Sequence, residues 1–209
     1  MADSCVSKIS IDLNDKICTT NPGGKGVEPI GKIINWDDVD WDSVVWDDTN
    51  KNIIKTLPLL VGKKAQLIYQ HGDEPFKGGT CTNRKLPCGT VWDKGIQFYL
   101  QNDSPEVAQV ATAMGAGGKF IILLNKIEKG LQKATGAGNQ AFKVIGGHQG
   151  VKFNADGDFV QDDYSDDSNG GYVVKGMERG APVANVFLYD TDYPTSKTKF
   201  DSYDVTVPA

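Results

Sequence analysis

The sequence predicts a mainly β, α+β fold: a β-barrel or β-sandwich with one packed α-helix and projecting loops. Three observations predict it. Apolar runs of strand length recur along all 209 residues, separated by turn signals. The 24 glycines are spread through those turns with no short repeat, which argues for many chain reversals and against a low-complexity polymer. Only one segment carries both the caps and the apolar spacing of a helix. The length fits one domain, residues 1–209, with projecting segments at about 36–50 and 71–90.

The elements follow in order. Lys8-Ile9-Ser10-Ile11-Asp12-Leu13 alternates polar and apolar residues, as a strand with one wet face does. Asn21 to Gly26 is a turn by composition, and Val27 to Trp36, Asn52 to Leu60 and Lys63 to Gln70 read as strands. In the last of these, Ala65, Leu67 and Tyr69 are expected to share one face. His71 to Thr90 has little apolar content and reads as a long functional or extended loop. Gly95 to Leu100 is again a strand.

The helix comes next. Ser104 is its predicted N-cap, Pro105 its first residue, and Glu106 supplies an acid to the first turn. Val107, Val110, Ala111 and Met114 recur at helical spacing as its apolar face, and Gly115, Gly117 and Gly118 stop it. Lys119 to Leu124 is apolar on both faces and reads as a central strand buried on both sides. Ala141 to Ile145, Val151 to Phe153, Gly171 to Lys175 and Val183 to Tyr189 complete the predicted strands, with turns between them such as Asn154 to Asp158.

Composition removes several functions. Twenty-seven acids against 22 bases, with no basic run, disfavour a protein that reads nucleic acid. No window approaches 18 consecutive apolar residues, and Met-Ala-Asp-Ser-Cys lacks the basic flank and apolar stretch of a signal peptide. A protein used without crossing a membrane by the secretory route, and without membrane insertion, is expected. Cys5, Cys18, Cys81 and Cys88 lack the close spacing of a zinc site, leaving free thiols or a Cys81–Cys88 disulfide.

No catalytic constellation emerges. Gly26 to Ile33 approaches a P-loop but has Ile33 where Ser or Thr must hold magnesium. Met114 to Gly118 follows a helix and precedes a strand, the reverse of the dinucleotide-binding order. His71 and His148 are the only histidines; His148, in Gly146-Gly147-His148-Gln149-Gly150, reads as an ordinary surface residue. The acids from Asp156 to Asp167 miss the EF-hand pattern at Val160 and Asp167 and read as a solvated hairpin tip. No enzyme, cofactor or metal is expected.

The segment Trp36 to Asn50 opens three five-residue cycles with Trp-Asp and contains six aspartates without lysine or arginine. Five residues turn a helical side chain by about 500°, and in a strand they move it to the other face. Neither element gathers all three rings. Trp36 is therefore expected inside its own domain, while Trp41 or Trp46 enters a neighbouring subunit. Trp41, Trp46, Asp47 and Asp48 form the candidate subunit interface.

Ile34-Asn35-Trp36-Asp37-Asp38-Val39-Asp40, the Gly62-Lys63-Lys64-Ala65 strand, the Asn102 to Ala113 helix, Gly170-Gly171-Tyr172-Val173-Val174 and Leu188 to Thr195 occur in this order. The order resembles a family of virion structural proteins of tailed phages and prophages of Bacteroidetes, over about residues 30 to 205. The resemblance implies a tail-tube-like fold and a tail tube or tail ring subunit, made in the cytoplasm of the bacterial host and carried in the virion. Its partners would be further copies in stacked rings, other tail or neck proteins, and double-stranded DNA in transient, non-specific passage. A negative channel wall would keep that DNA from sticking. The competing reading is a carbohydrate- or host-surface-binding module of a phage tail, its tryptophans stacking on sugars.

Overall fold

The computed structural model describes residues 26–71, 74–77, 79–129, 138–166 and 168–207. The expected strand at Lys8–Leu13, the turn before Gly26, and Cys5 and Cys18 lie outside the described residues. The chain is mainly β, with two sheets and two helices. Among the described residues no closed barrel forms, so of the two expected β architectures the sandwich describes it.

The strands are β1 (Val27–Asn35), β2 (Val45–Trp46), β3 (Ile53–Thr56), β4 (Gln66–Tyr69), β5 (Cys81–Leu86), β6 (Gly89–Leu100), β7 (Phe120–Lys126), β8 (Phe142–Ile145), β9 (Phe159–Gln161), β10 (Tyr172–Ala181) and β11 (Val186–Leu188). The helices are α1 (Pro105–Gly115) and α2 (Tyr193–Ser202). A seven-stranded sheet runs β2-β3-β11-β8-β7-β1-β4, and a four-stranded sheet runs β5-β6-β10-β9.

Strand β7 is buried on both faces, as its sequence predicts. Ile122 and Leu124 join Ile96, Phe98, Met114, Phe153 and Val174 between the two sheets. Ile121 and Leu123 point the other way, into a second core with Ile34, Ile54, Phe142, Leu188 and Phe200. The larger sheet is thus the middle layer. Two links tie it to the smaller one: the Gln70 side chain exchanges two 2.8 Å hydrogen bonds with the Tyr99 backbone, and Val151 and Lys152 bridge Phe120 to Met177.

Helix α1 begins as its caps predict, with Ser104 Oγ accepting from Val107 N at 3.3 Å. Its apolar face is covered only in part: Ala111 and Met114 are buried, whereas Val110 is 48% exposed.

Two expectations need correction, the single helix and the long loop at 71–90. The structure holds a second helix, α2, capped by Asp192 Oδ1 accepting from Thr195 N at 2.8 Å. Only Ser196 and Phe200 of α2 are buried, so it has no apolar stripe to announce it. Its end is fixed from the sheet, because buried Lys32 donates to the carbonyls of Phe200 and Asp201 at 2.7 and 3.1 Å. The long loop at 71–90 is in part a hairpin, since β5 pairs β6 from Cys81 to Leu86. A strand at a sheet edge with most residues exposed needs no apolar face. Cys81 and Cys88 are free thiols. In β4, Leu67 and Tyr69 share one face as expected, and it is the more exposed one: Tyr69 is 58% exposed, whereas Ile68 on the other face is buried.

Candidate functional site

The predicted interface residues gather along one rim, where the Trp36–Asn50 segment meets the 146–150 loop. Trp36–Asp38 and Trp41–Ser43 form two 3-10 turns, followed by β2. The Trp41 ring lies 3.9 Å from that of Trp36, centroid to centroid, and Trp41 Nε1 donates to the Trp36 carbonyl at 3.0 Å. Trp46 stacks on His148 at 4.4 Å. All three tryptophans are half-buried and packed against the core behind the larger sheet. Trp41 and Trp46 therefore spend at least one ring face inside their own chain, which the sequence reading did not anticipate.

Two of the six aspartates are also engaged internally. Asp38 pairs with Lys63 at 2.8 Å and accepts from Asn35 Nδ2 at 2.7 Å. Burial pushes its carboxyl up, but Lys63 and Asn35 hold it below the ordinary value. Asp47 pairs with Lys55 at 2.9 Å and accepts from the amides of Thr49 and Asn50. Lys55 and then those amides bring its pKa down to about 2. Asp48 is exposed. Asp47 thus closes a turn, and Asp37, Asp42 and Asp48 keep exposed carboxylates without an ion pair among the described residues.

The loop opposite is held by a charge that sequence reading missed. Glu178 and Lys94 are cross-strand partners on β10 and β6, both fully buried, with Nζ and Oε2 3.0 Å apart. Glu178 accepts from the amides of Gly146, His148 and Gln149 at 3.0, 2.9 and 2.9 Å. Burial raises its carboxyl, yet Lys94 and the loop amides leave it below the ordinary value. Gly146 permits the loop's turn at φ +93°, where a Cβ would sit 2.4 Å from the Phe120 carbonyl oxygen. His148 is accordingly no ordinary surface residue. Desolvation, helped by Lys94 and opposed by Glu178, lowers its pKa, and its Nε2 is buried without a hydrogen bond.

No family model, curated protein or solved structure matches the chain. Functional reasoning therefore rests on its own surfaces.

Two concave surfaces among the described residues bear on function. A cleft of about 580 Å³ adjoins the rim and is lined by Lys119, Lys152, Lys175 and Arg179, with Asp158 as its acid. Lys175, Met177 and Arg179 alternate along β10 on the face opposite buried Val174, Gly176 and Glu178. Gly176 is required there by Phe153, whose ring would lie 2.3 Å from an added Cβ. Lys119 lies 5.3 Å over the Trp36 ring, joining the cleft to the tryptophan rim. The other surface is an apolar groove of about 650 Å³ between β4 and α1, lined by Leu67, Tyr69, Leu100, Val107 and Val110 among others.

Among the described residues no three of His, Cys, Asp and Glu are placed to hold a metal ion. No described helix is long and apolar enough to cross a membrane.

Proposed function

We propose that this chain is a virion structural protein, a phage tail tube or tail ring subunit that assembles with further copies into rings around a channel for DNA. The observation that carries the reading is the open edge of the larger sheet. Among the described residues β4 pairs with β1 on one side and ends the sheet on the other, beside the apolar groove. Such an edge offers free backbone donors and acceptors to a strand of another copy. Exposed Tyr69 and Val110 supply apolar area to bury with it. The β-rich, two-sheet architecture with a packed helix also suits the tail-tube-like resemblance of the sequence.

The sugar-binding alternative draws less support, because Trp36 and His148 already occupy a face of Trp41 and of Trp46. Negative-stain imaging with sedimentation of the purified protein tests the proposal. Rings or short stacks are expected. A species that stays monomeric at every concentration while binding glycan would refute it.

A further inference from the structure

The basic cleft is only partly balanced: among the described residues Asp158 is the one acid lining it, and Asp93 acts on Arg179 from beside it. Lys152, Lys175 and Arg179 make no side-chain ion pair or hydrogen bond among the described residues, and Lys119 meets only the Trp36 ring. Asp158, the acid of the cleft, is itself engaged by the Ala155 amide at 2.7 Å. In a chain of net charge −5, three unpaired cations gathered in one concavity from separate segments form a receptor for an anion.

A matching anion stands on the same chain. The turn joining β9 to β10 carries Asp162, Asp163 and Asp166, all exposed and without an ion pair among the described residues, and lifts Tyr164 to 93% exposure between them. Asp162 Oδ1 accepts from Tyr164 N at 3.0 Å, which shapes the turn beneath the ring. A tyrosine so exposed and flanked by acids is unlike the half-buried tryptophans of the rim. Its ring suits the Met177, Gly150 and Gly176 surface of the cleft, and its acids suit the lysines around it.

Tip and cleft lie toward opposite ends of the β9–β10 pair. Tyr172 pairs with Gln161 at the tip end of β10, and the cleft cations Lys175 and Arg179 are three and seven residues further along, on the order of 10 and 20 Å at the rise of a strand. We infer that the Asp162–Asp166 tip of one copy docks in the Lys119/Lys152/Lys175/Arg179 cleft of a second copy. Made head to tail, this contact is heterologous and closes into a ring or propagates as a stack; made reciprocally it would stop at a two-fold dimer, which sedimentation separates from a ring. It rests on the assembly reading above and adds to the β4 edge a charge contact that fixes register.

The test uses the full chain with charge reversals in two pairs, Lys152→Glu with Lys175→Glu and Asp162→Lys with Asp163→Lys. Sedimentation at low and high salt is read beside thermal melting, and Tyr164→Ser serves as a milder third variant. Each reversed pair should weaken association about tenfold or more at low salt, and an equimolar mixture of the two pairs should restore it. Tyr164→Ser should weaken association while the monomer melts as before. If wild type assembles and the variants assemble equally well, this contact is wrong and the assembly reading survives. If wild type never assembles, both fall. If the cleft reversal instead abolishes binding of a DNA duplex that the tip reversal retains, the cleft is a phosphate site and the inference is overturned.

Discussion

Removing the carboxylate of Glu178 should cost far more stability than removing the ammonium of Lys94, although the two face each other in one buried pair. Breaking a buried ion pair from one side costs about 3–5 kcal/mol, because the remaining charge is stranded. The stranded groups differ here. Without Lys94, Glu178 still accepts three backbone hydrogen bonds from the 146–149 loop. Without Glu178, Lys94 Nζ is fully buried with no hydrogen-bond partner, and the three loop amides lose their acceptor as well. Glu178→Leu should therefore fall at the upper end, about 5 kcal/mol, and Lys94→Met near or below about 3 kcal/mol. In a chain of this size each kcal/mol moves the melting temperature by about 2–4 °C, so Glu178→Leu should lower it by about 10–20 °C. Denaturant unfolding of both variants and the double variant gives the coupling energy directly. Lys94→Met proving as costly as Glu178→Leu, or both costing under about 1 kcal/mol, would refute the view that the carboxylate organises this loop.

Three further predictions follow from single contacts. Ser104→Ala should cost about 1 kcal/mol through the lost cap of α1, and Met114→Asp several times that by placing a charge between the sheets; equal, small losses in denaturant titration would misplace the buried face. Asp47 has its folded pKa lowered to about 2, so its stabilising contribution is present above the unfolded carboxylate value and is lost as pH falls through the folded one. Wild type and Asp47→Asn should thus differ in melting temperature at neutral pH and converge toward pH 2, and a constant difference would contradict the linkage. Trp36→Ala should destabilise the monomer by about 3 kcal/mol, the low end for a large aromatic because the ring is half-buried. Trp46→Ala should free His148 from its stack, raising the histidine's pKa in an NMR titration.

The layered β fold was legible because its strands carry their own burial pattern. The run from Phe120 to Leu124 can be satisfied only by cover on both faces, and two cores provide it. Ser104-Pro105-Glu106 placed α1 to the residue. Helix α2 announced itself only through Asp192 and Pro194, a cap without an apolar stripe, and periodicity passes over such a helix. β5 was hidden for the opposite reason, since a polar, exposed edge strand is compositionally a loop. The cleft was out of reach as a charge run, because its cations come from residues 119, 152, 175 and 179. The alternation of Lys175, Met177 and Arg179 was its one local trace, readable only once β10 was known to continue past Lys175. Glu178 and Lys94 had no signal: two charges in separate strands become a buried pair only through the register of β10 on β6.

The five-residue tryptophan repeat fits neither a helix nor a strand because it is built from neither alone. Each of its first two cycles is a three-residue 3-10 turn, Trp36–Asp38 or Trp41–Ser43, after which Val39 and Val44 return to extended backbone at ψ 135° and 126°. Three residues of turn and two residues of connecting chain make the period of five and bring successive rings back toward the same core. The aspartate after each of the first two tryptophans then faces outward, as exposed Asp37 and Asp42 do, while Asp38 at the end of the first turn is held by Lys63 and Asp47, after Trp46, by Lys55. In this arrangement the rings anchor the segment and the carboxylates remain on its surface. Contacts between copies proposed above accordingly depend less on the tryptophans than on charges left unpaired outside them, and Lys119, which lies over Trp36, joins the rim to the chain's basic cleft.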